Sequence, residues 1–307
     1  MNSPTQVSIV RRTLFDGELL QIGHIVARPE SSECGEIEVS DLNVVALPLA
    51  GLFAKHDGPR QHAIATPTHA LLISAGKPYR LSFPGCIGDR CLALRFSSAA
   101  LARVMPEALA GDAFDASVFA AQALLPAAVM LARSQLMRGF ARRTMDALEA
   151  EELGIGLLVS SLRAARTQRF ARRHGPLASS DTGRRLRQVE RIREAVWTQP
   201  DRRWTLGDLA DLASVSPCHL AHVFRAEVGM PVYQYVLRAR LARALDEVLD
   251  SDADLTTIAL DSGFTSHSHF TARFRTLFGH TPLELRRGIR ALRARDLRKI
   301  VTAAQPA

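Results

Sequence analysis

Two stretches in the C-terminal half of the chain repeat one another. Leu206-Gly-Asp-Leu-Ala210 corresponds to Leu255-Thr-Thr-Ile-Ala259, and each is followed by a turn and a second helical stretch, Ser216–Arg225 and Thr265–Arg275. Leu220 and Phe224-Arg225 align with Phe270 and Phe274-Arg275 at a shift of 50, Gly229 aligns with Gly279, and Pro231 aligns with Pro282 with one residue more. Ala210 and Ala259 are small enough to let a second helix cross closely. The turns Ser214–Ser216 and Ser262–Thr265 are short and polar, and Gly263 permits a positive φ. Ser216 and either Thr265 or Ser266 are placed to cap the second helix of each unit. Leu220, Val223 and Phe224 make one apolar face, with Phe270, Phe274, Leu277 and Phe278 as its counterpart. This is the physical pattern of a helix-turn-helix, present twice.

The opposite faces carry Cys218, Ala221, His222 and Arg225 in the first unit. In the second they carry Ser268, Thr271, Ala272 and Arg275, with His267 at the start of the helix. Such stripes face outward, as a helix entering the major groove requires. Neutral His supplies one donor and one acceptor, Ser and Thr reach either base, and Ala221 and Ala272 suit thymine methyls. Arg225 and Arg275 follow the core Phe in the C-terminal half of each helix, so phosphate or structural roles are expected of them. His222, Ser268 and Thr271 are expected to carry more of the specificity. Between the units, Val232–Leu249 reads as a helix of about 18 residues, or roughly 27 Å. One turn of DNA is about 34 Å, so such a rod suits two recognition helices in successive grooves. Its arginines, Arg238, Arg240 and Arg243, would then meet the intervening backbone.

Charge agrees with this division. The net charge is +8. Residues 1–137 hold 11 Lys+Arg against 12 Asp+Glu, and residues 138–307 hold 28 against 19. A basic half joined to a neutral half points to a polyanion partner for one end only. Only Lys55, Lys77 and Lys299 among the basic residues are lysine, a bias too global to credit to one site. The length of 307 residues suits two domains. No stretch reaches the roughly 18 apolar residues of a membrane helix, and residues 1–20 lack a signal-peptide apolar region. Four cysteines spread over the chain are too few for a disulfide scaffold. A soluble, cytoplasmic protein is expected.

The N-terminal half reads as short strands, Leu20–Arg28, Leu42–His56, Gln61–Ala65, Ala70–Ser74, Tyr79–Phe83 and Cys91–Phe96, separated by Gly, Pro and Asp turns. That spacing predicts an antiparallel sandwich or barrel. From Ser98 to about Phe170 the period becomes helical, with Leu148, Leu153, Leu157, Leu158 and Leu162 near 3.6 spacing. The helical span from Ser117 reads either as a dimerisation surface or as helices packed on the strands. Ala171–Gly183, rich in Pro, Gly, Ser and Asp, reads as a linker. Met1–Arg12 is expected to be a mobile arm or disordered.

The C-terminal hundred or so residues resemble the DNA-binding domain of the AraC/XylS family of bacterial transcription regulators. The resemblance rests on Leu206, Ala210, Leu220, Phe224-Arg225, Gly229, Tyr235, Arg240-Leu241, Ile258-Ala259, Gly263-Phe264, Phe270, Phe274-Arg275, Gly279, Thr281-Pro282 and Arg286. His222 and Ala272 stand where family members commonly carry Arg. The N-terminal half resembles the cupin-type sensor often attached in that family, including Ser82–Phe96 with Gly88-Asp89-Arg90-Cys91. The resemblance implies an α+β two-domain chain: a cupin-like β-barrel with appended helices over residues 1–170, a linker at 171–183, an all-α double helix-turn-helix domain at 184–290, and a tail at 291–307. It also implies a regulator, in the first instance an activator, working as a homodimer with double-stranded DNA, a small-molecule effector and RNA polymerase as partners.

Other chemistry fits these residues less well. A metal cupin needs His-x-His with a nearby carboxylate, whereas His56, His62 and His69 stand six and seven apart without a close Glu. Neither a metal nor a cofactor is expected, and the protein is not expected to be an enzyme; a cupin enzyme with a DNA-binding appendage is the third reading. His56, His62, Tyr79 and Arg80 are the candidate polar contacts for an effector. Cys86 and Cys91, five apart around Gly88, allow a thiol-responsive regulator as the second reading. The simpler view has Cys91 packed inward on a strand and Cys86 in a loop. Cys218, His219 and His222, or His267 and His269, have no Cys pair at zinc spacing and read as DNA-facing or capping groups.

Overall fold

The computed structural model describes residues 7–58, 61–106, 122–174, 182–200 and 202–287. The chain divides into two compact units with the boundary between Arg169 and Phe170.

The N-terminal unit is built from antiparallel strands. In chain order these are β1 (Val7–Asp16), β2 (Gln21–Pro29), β3 (Glu38–Val39), β4 (Asn43–Gly51), β5 (Phe53–Gly58), β6 (Gln61–Ala65), β7 (His69–Ile73), β8 (Pro78–Ser82), β9 (Asp89–Phe96) and β10 (Gln122–Leu124). They form a six-stranded sheet, β1-β2-β9-β4-β7-β10, and a four-stranded sheet, β3-β8-β5-β6. One core lies between the sheets, with Ala27, Val44, Ala46, Leu71 and Ala93 from the first and Phe53, Ala63, Ala65 and Tyr79 from the second. The unit is a double-sheet antiparallel arrangement rather than one closed barrel, a common way for antiparallel strands to limit their exposed edges.

The apolar run Leu42–His56 is two strands, not one. The chain turns from the first sheet into the second at Gly51, whose φ is +72 and whose missing Cβ would lie 2.0 Å from the carbonyl oxygen of Gly88. Only glycine fits there. The run lacks alternation because β4 is covered on both faces: Val44 and Ala46 point to the inter-sheet core, and Val45 and Leu47 are equally buried behind it. Helix α2 (Ala127–Arg142) packs against β4, with α1 (Ser98–Val104) before it in the chain and α3 (Ala147–His174) after it. A Cβ on Gly154 of α3 would come within 2.6 Å of Leu20 and 2.9 Å of Ile22, so this helix lies directly on β2. Leu153, Leu157, Leu158 and Leu162 are buried along it, whereas Leu148 is exposed.

Three expectations are corrected here. Val7–Asp16 is a strand, paired along β2 from Val7↔Pro29 to Asp16↔Gln21, so much of the expected arm is part of a sheet. Gln122–Leu124, expected to be helical, pairs with β7. The Ala171–Gly183 segment begins inside α3, which continues to His174, and residues 182–183 open helix α4 (Thr182–Thr198). Residues 175–181, 117–121 and the tail from 291 lie outside the described residues.

The C-terminal unit is helical: α4, α5 (Leu206–Leu212), α6 (Pro217–Val228), α7 (Val232–Asp250), α8 (Leu255–Asp261), α9 (His267–Phe278) and α10 (Pro282–Arg286). The repeat is exact in its hydrogen bonds. Val215 N–H donates to the Ala210 carbonyl at 3.0 Å, and Phe264 N–H donates to the Ala259 carbonyl at 3.0 Å. Ser214 (φ +55) and Gly263 (φ +80) hold the same left-handed position in the two turns. Ser216 caps α6 through the His219 N–H, and Ser266, rather than Thr265, caps α9 through the His269 N–H. Capping boxes at Thr205/Asp208 and Thr281/Glu284 start α5 and α10. The core is aromatic. Phe270 packs between Phe264 at 5.2 Å and Phe274 at 5.4 Å, and Phe274 meets Phe278 at 4.7 Å. In the first half Phe224 meets Tyr235 edge-on at 5.3 Å, and Trp197 donates to the Tyr235 hydroxyl at 3.1 Å.

Candidate nucleic-acid interface and ligand cavity

The second recognition helix presents the expected face. His267, Ser268, Thr271, Ala272 and Arg275 of α9, together with Thr276 and Thr281, line one open depression of about 760 Å³. All five residues expected from the sequence are therefore on one surface, and Phe270, Phe274 and Phe278 are buried behind it. The Thr271 hydroxyl lies 3.4 Å from His267 Nε2, one helical turn away. On α6, Cys218, His222 and Arg225 are exposed and Ala221 is half-buried, opposite buried Leu220, Val223 and Phe224. The rod between the units runs from Val232 to Asp250, 19 residues, or about 28 Å.

Arg240 does something else. Its guanidinium donates to the carbonyls of Gly263 at 2.9 Å and Arg202 at 3.2 Å. It braces α7 against the turn of the second helix-turn-helix, and these contacts take two of its donors away from the DNA-backbone role expected of it.

Sequence reasoning missed a basic patch. Arg184, Arg187, Gln188 and Arg191 of α4 line a depression of about 240 Å³ with Ala213 and Ser214 of the first turn. The i, i+3, i+7 spacing of the three arginines was the available signal.

The N-terminal unit holds a cavity of about 280 Å³ between its two sheets. Its lining is mostly aliphatic, from Ile9, Ile25, Ala27, Val44, Ala46 and Ile73, with Phe53 and Phe83; the polar groups are Arg11, Glu38, Ser40, Asp41, Tyr79, Asp89 and Arg95. Of the four expected contacts, Tyr79 lines it. Its hydroxyl donates to Glu38 at 3.2 Å, and burial, then Glu38, pushes its pKa up to about 12. His56, His62 and Arg80 are not among the lining residues. The His56 and His62 rings stack at 5.5 Å, His56 shares a hydrogen bond with Ser82 at 2.8 Å, and Arg80 is exposed. The polar residues missed were Arg11, on the strand expected to be a mobile arm, Glu38, Ser40 and Asp41, and Asp89 and Arg95 on β9. Asp89, Cys91, Ala93 and Arg95 alternate toward the cavity, a period-2 signal that the sequence carried.

All four cysteines are free thiols. Cys91 is buried and Cys86 exposed. Burial, and then the Asp89 carboxylate, push the Cys91 thiol well up, opposite to the lowered pKa that a reactive thiol needs. Among the described residues no three His, Cys, Asp or Glu side chains cluster as metal ligands, and no helix is long and apolar enough to cross a membrane.

Comparison with known proteins agrees with the C-terminal geometry. Residues 209–288 match the family model described as a helix-turn-helix domain. An AraC-like transcription regulator of Streptomyces lividans is 36% identical over 88 residues, 29% of this chain and 29% of that protein. The HTH-type transcriptional activator AarP of Providencia stuartii is 34% identical over 89 residues, 28% of this chain and 66% of that protein. A crystal structure of a transcriptional regulator with an AraC-type DNA-binding domain from Chromobacterium violaceum aligns at 25% identity and TM-score 0.32, covering 33% of this chain and 91% of that one. The match thus spans less than a third of the Streptomyces protein and just under two thirds of AarP. Residues 209–288 therefore match a helix-turn-helix domain and are similar to the corresponding part of AraC-like transcription regulators.

Proposed function

We propose that this chain is a sequence-specific, DNA-binding transcription regulator controlled by a small molecule held between the two sheets of its N-terminal unit. The observation that carries the DNA-binding reading is the single open face formed by His267, Ser268, Thr271, Ala272 and Arg275, with its counterpart on α6. Residues 184–290 would dock α6 and α9 in successive major grooves, with base edges read by His222, Ser268 and Thr271. Arg225 and Arg275 would meet phosphates, as would Arg184, Arg187 and Arg191, which line a second depression beside the first turn. The cavity of about 280 Å³, apolar with a few polar groups, supports the effector reading. Ligand binding there would bias DNA affinity, a coupling of two sites. Dimerisation through α2 and α3, activation, and contact with RNA polymerase complete the proposal; AarP's name as an activator supports its direction. The thiol-responsive reading is weaker, because Cys91 is buried with a raised pKa.

A map of the DNA bound by the full chain, selected from random sequence, tests the proposal. Enrichment of one sequence with two half-sites supports it, and recovery without sequence preference contradicts it.

A further inference from the structure

The cavity of the N-terminal unit contains one buried acid with no partner among the described residues. Asp89 opens β9, and its side chain joins Cys91, Ala93 and Arg95 on the cavity face of that strand. The residue is 7% exposed. Its carboxyl has no hydrogen-bond or ion-pair partner among the described residues. Ala27 is its register partner on β2 and Gly51 on β4, neither of which brings a donor side chain. The close crossing at Gly51 and Gly88 brings Gly51 against the backbone of Asp89.

The other charges of the cavity stand differently: Asp41 is exposed, and Arg95, whose Nε has no hydrogen-bond partner among the described residues, lies far along the strand. Glu38 lies 3.7 Å from Arg11 and accepts from Tyr79. Arg95 is six residues along β9, about 20 Å of extended strand from Asp89. An unpaired carboxylate in an apolar site is costly, and native proteins rarely keep a buried polar group without a partner or a purpose. A ligand that supplies the positive charge would complete the site with a charge-assisted hydrogen bond. Phe53, Phe83 and Tyr79 line the same space, and aromatic faces favour organic ammonium groups. The volume of about 280 Å³ limits the ligand to roughly one ring or a short chain.

We propose that Asp89 is the counter-ion for a compact, largely apolar amine bound between the two sheets. The inference rests on reading this cavity as the effector site and names the class of effector it takes.

The test uses the full chain and three probes of matched size: 2-phenylethylamine, 2-phenylethanol and 3-phenylpropionate. Binding is measured by calorimetry and by the shift in melting temperature. The amine is expected to bind and stabilise the wild type, and the alcohol and the anion to bind at least tenfold more weakly. Asp89→Asn, with Asp89→Ser as a second variant, should lose amine affinity tenfold or more with an unchanged circular dichroism spectrum. Arg80→Gln, outside the cavity, should leave it unchanged. If the alcohol or the anion binds as well as the amine, or if both Asp89 variants keep amine affinity, the proposal is overturned. In that case Ala93→Phe, which fills the cavity, should still abolish binding of whichever probe binds, and the effector reading survives. If none of the three probes binds the wild type, both readings fall.

Discussion

Arg240 on α7 donates to the carbonyl of Gly263 at 2.9 Å, tying the rod between the two helix-turn-helix units to the turn of the second. The same guanidinium reaches the Arg202 carbonyl, so one side chain links the entry to α5, the rod and the second turn. The geometry leaves little slack: a Cβ on Gly263 would lie 3.0 Å from the guanidinium carbon. Arg240→Ala should destabilise the C-terminal domain by about 2–3 kcal/mol, the scale for charged hydrogen bonds lost from partly buried acceptors. Arg240→Lys should recover only part of this, because one ammonium cannot reproduce the planar fork. Denaturant unfolding measures both, and an Ala variant with wild-type stability would contradict the bracing role.

The left-handed residue at the equivalent position of the first turn is Ser214 rather than glycine. A side chain there costs about 1 kcal/mol. Ser214→Gly should therefore stabilise the domain by roughly that amount, despite the larger entropy of the unfolded chain. Gly263→Ala should destabilise it by at least as much. A midpoint shift in denaturant with unchanged slope would check both signs.

The DNA face and the α4 patch should fail in different ways. Loss of a base contact through His222→Ala, Ser268→Ala or Thr271→Ala should cost about 1–3 kcal/mol at one operator position. Arg187→Ala with Arg191→Ala should weaken all sequences alike and flatten the dependence of log affinity on log salt, by close to one unit per lost phosphate contact. Titrations at several salt concentrations separate the two classes. A salt slope unaltered by the double variant would remove α4 from the interface.

Asp89 sets a pH dependence of the ligand-free protein. Burial raises its pKa from 3.8 to about 7. The folded chain thus holds its proton more tightly than the unfolded chain. The associated stability is fully present below about pH 4, falls as pH rises toward 7, and is gone above it. Cys91, the titratable neighbour on the same strand face, has its pKa pushed well up and stays neutral through this window. Asp89→Asn should match the wild type near pH 4 and exceed it by a few kcal/mol at pH 8. Melting temperatures of both proteins across that range test the sign. Equal curves would show that the carboxyl is not desolvated.

Much of the C-terminal domain was legible because its local signals agree. Ser216 marks a cap, Gly229 and Gly279 mark helix ends, and the Phe spacing marks the buried face. Arg240 was misread because a charged residue on an amphipathic rod carries no sign of which long-range carbonyl it meets. In the N-terminal unit, β4 hid its boundary because burial on both faces erased the alternation that separates strands. β1 was missed because half of its residues are polar, and the pairing with β2 that orders it is tertiary. That omission also hid Arg11 from the cavity. His56 and His62 drew attention by residue type, yet β-register puts His56 beside His62 and Arg80 on the four-stranded sheet, outside the cavity lining.

The central claim is that α6 and α9, separated by a rod of about 28 Å, read two successive major grooves. Hydroxyl-radical and methylation footprinting of the full chain on its selected site tests it most directly. The account predicts two protected major-groove segments on one face of the duplex, about one helical turn apart per protomer. His222→Ala should expose only the first and the Ser268→Ala/Thr271→Ala pair only the second. Protection of a single groove, or a footprint indifferent to these substitutions, would contradict it.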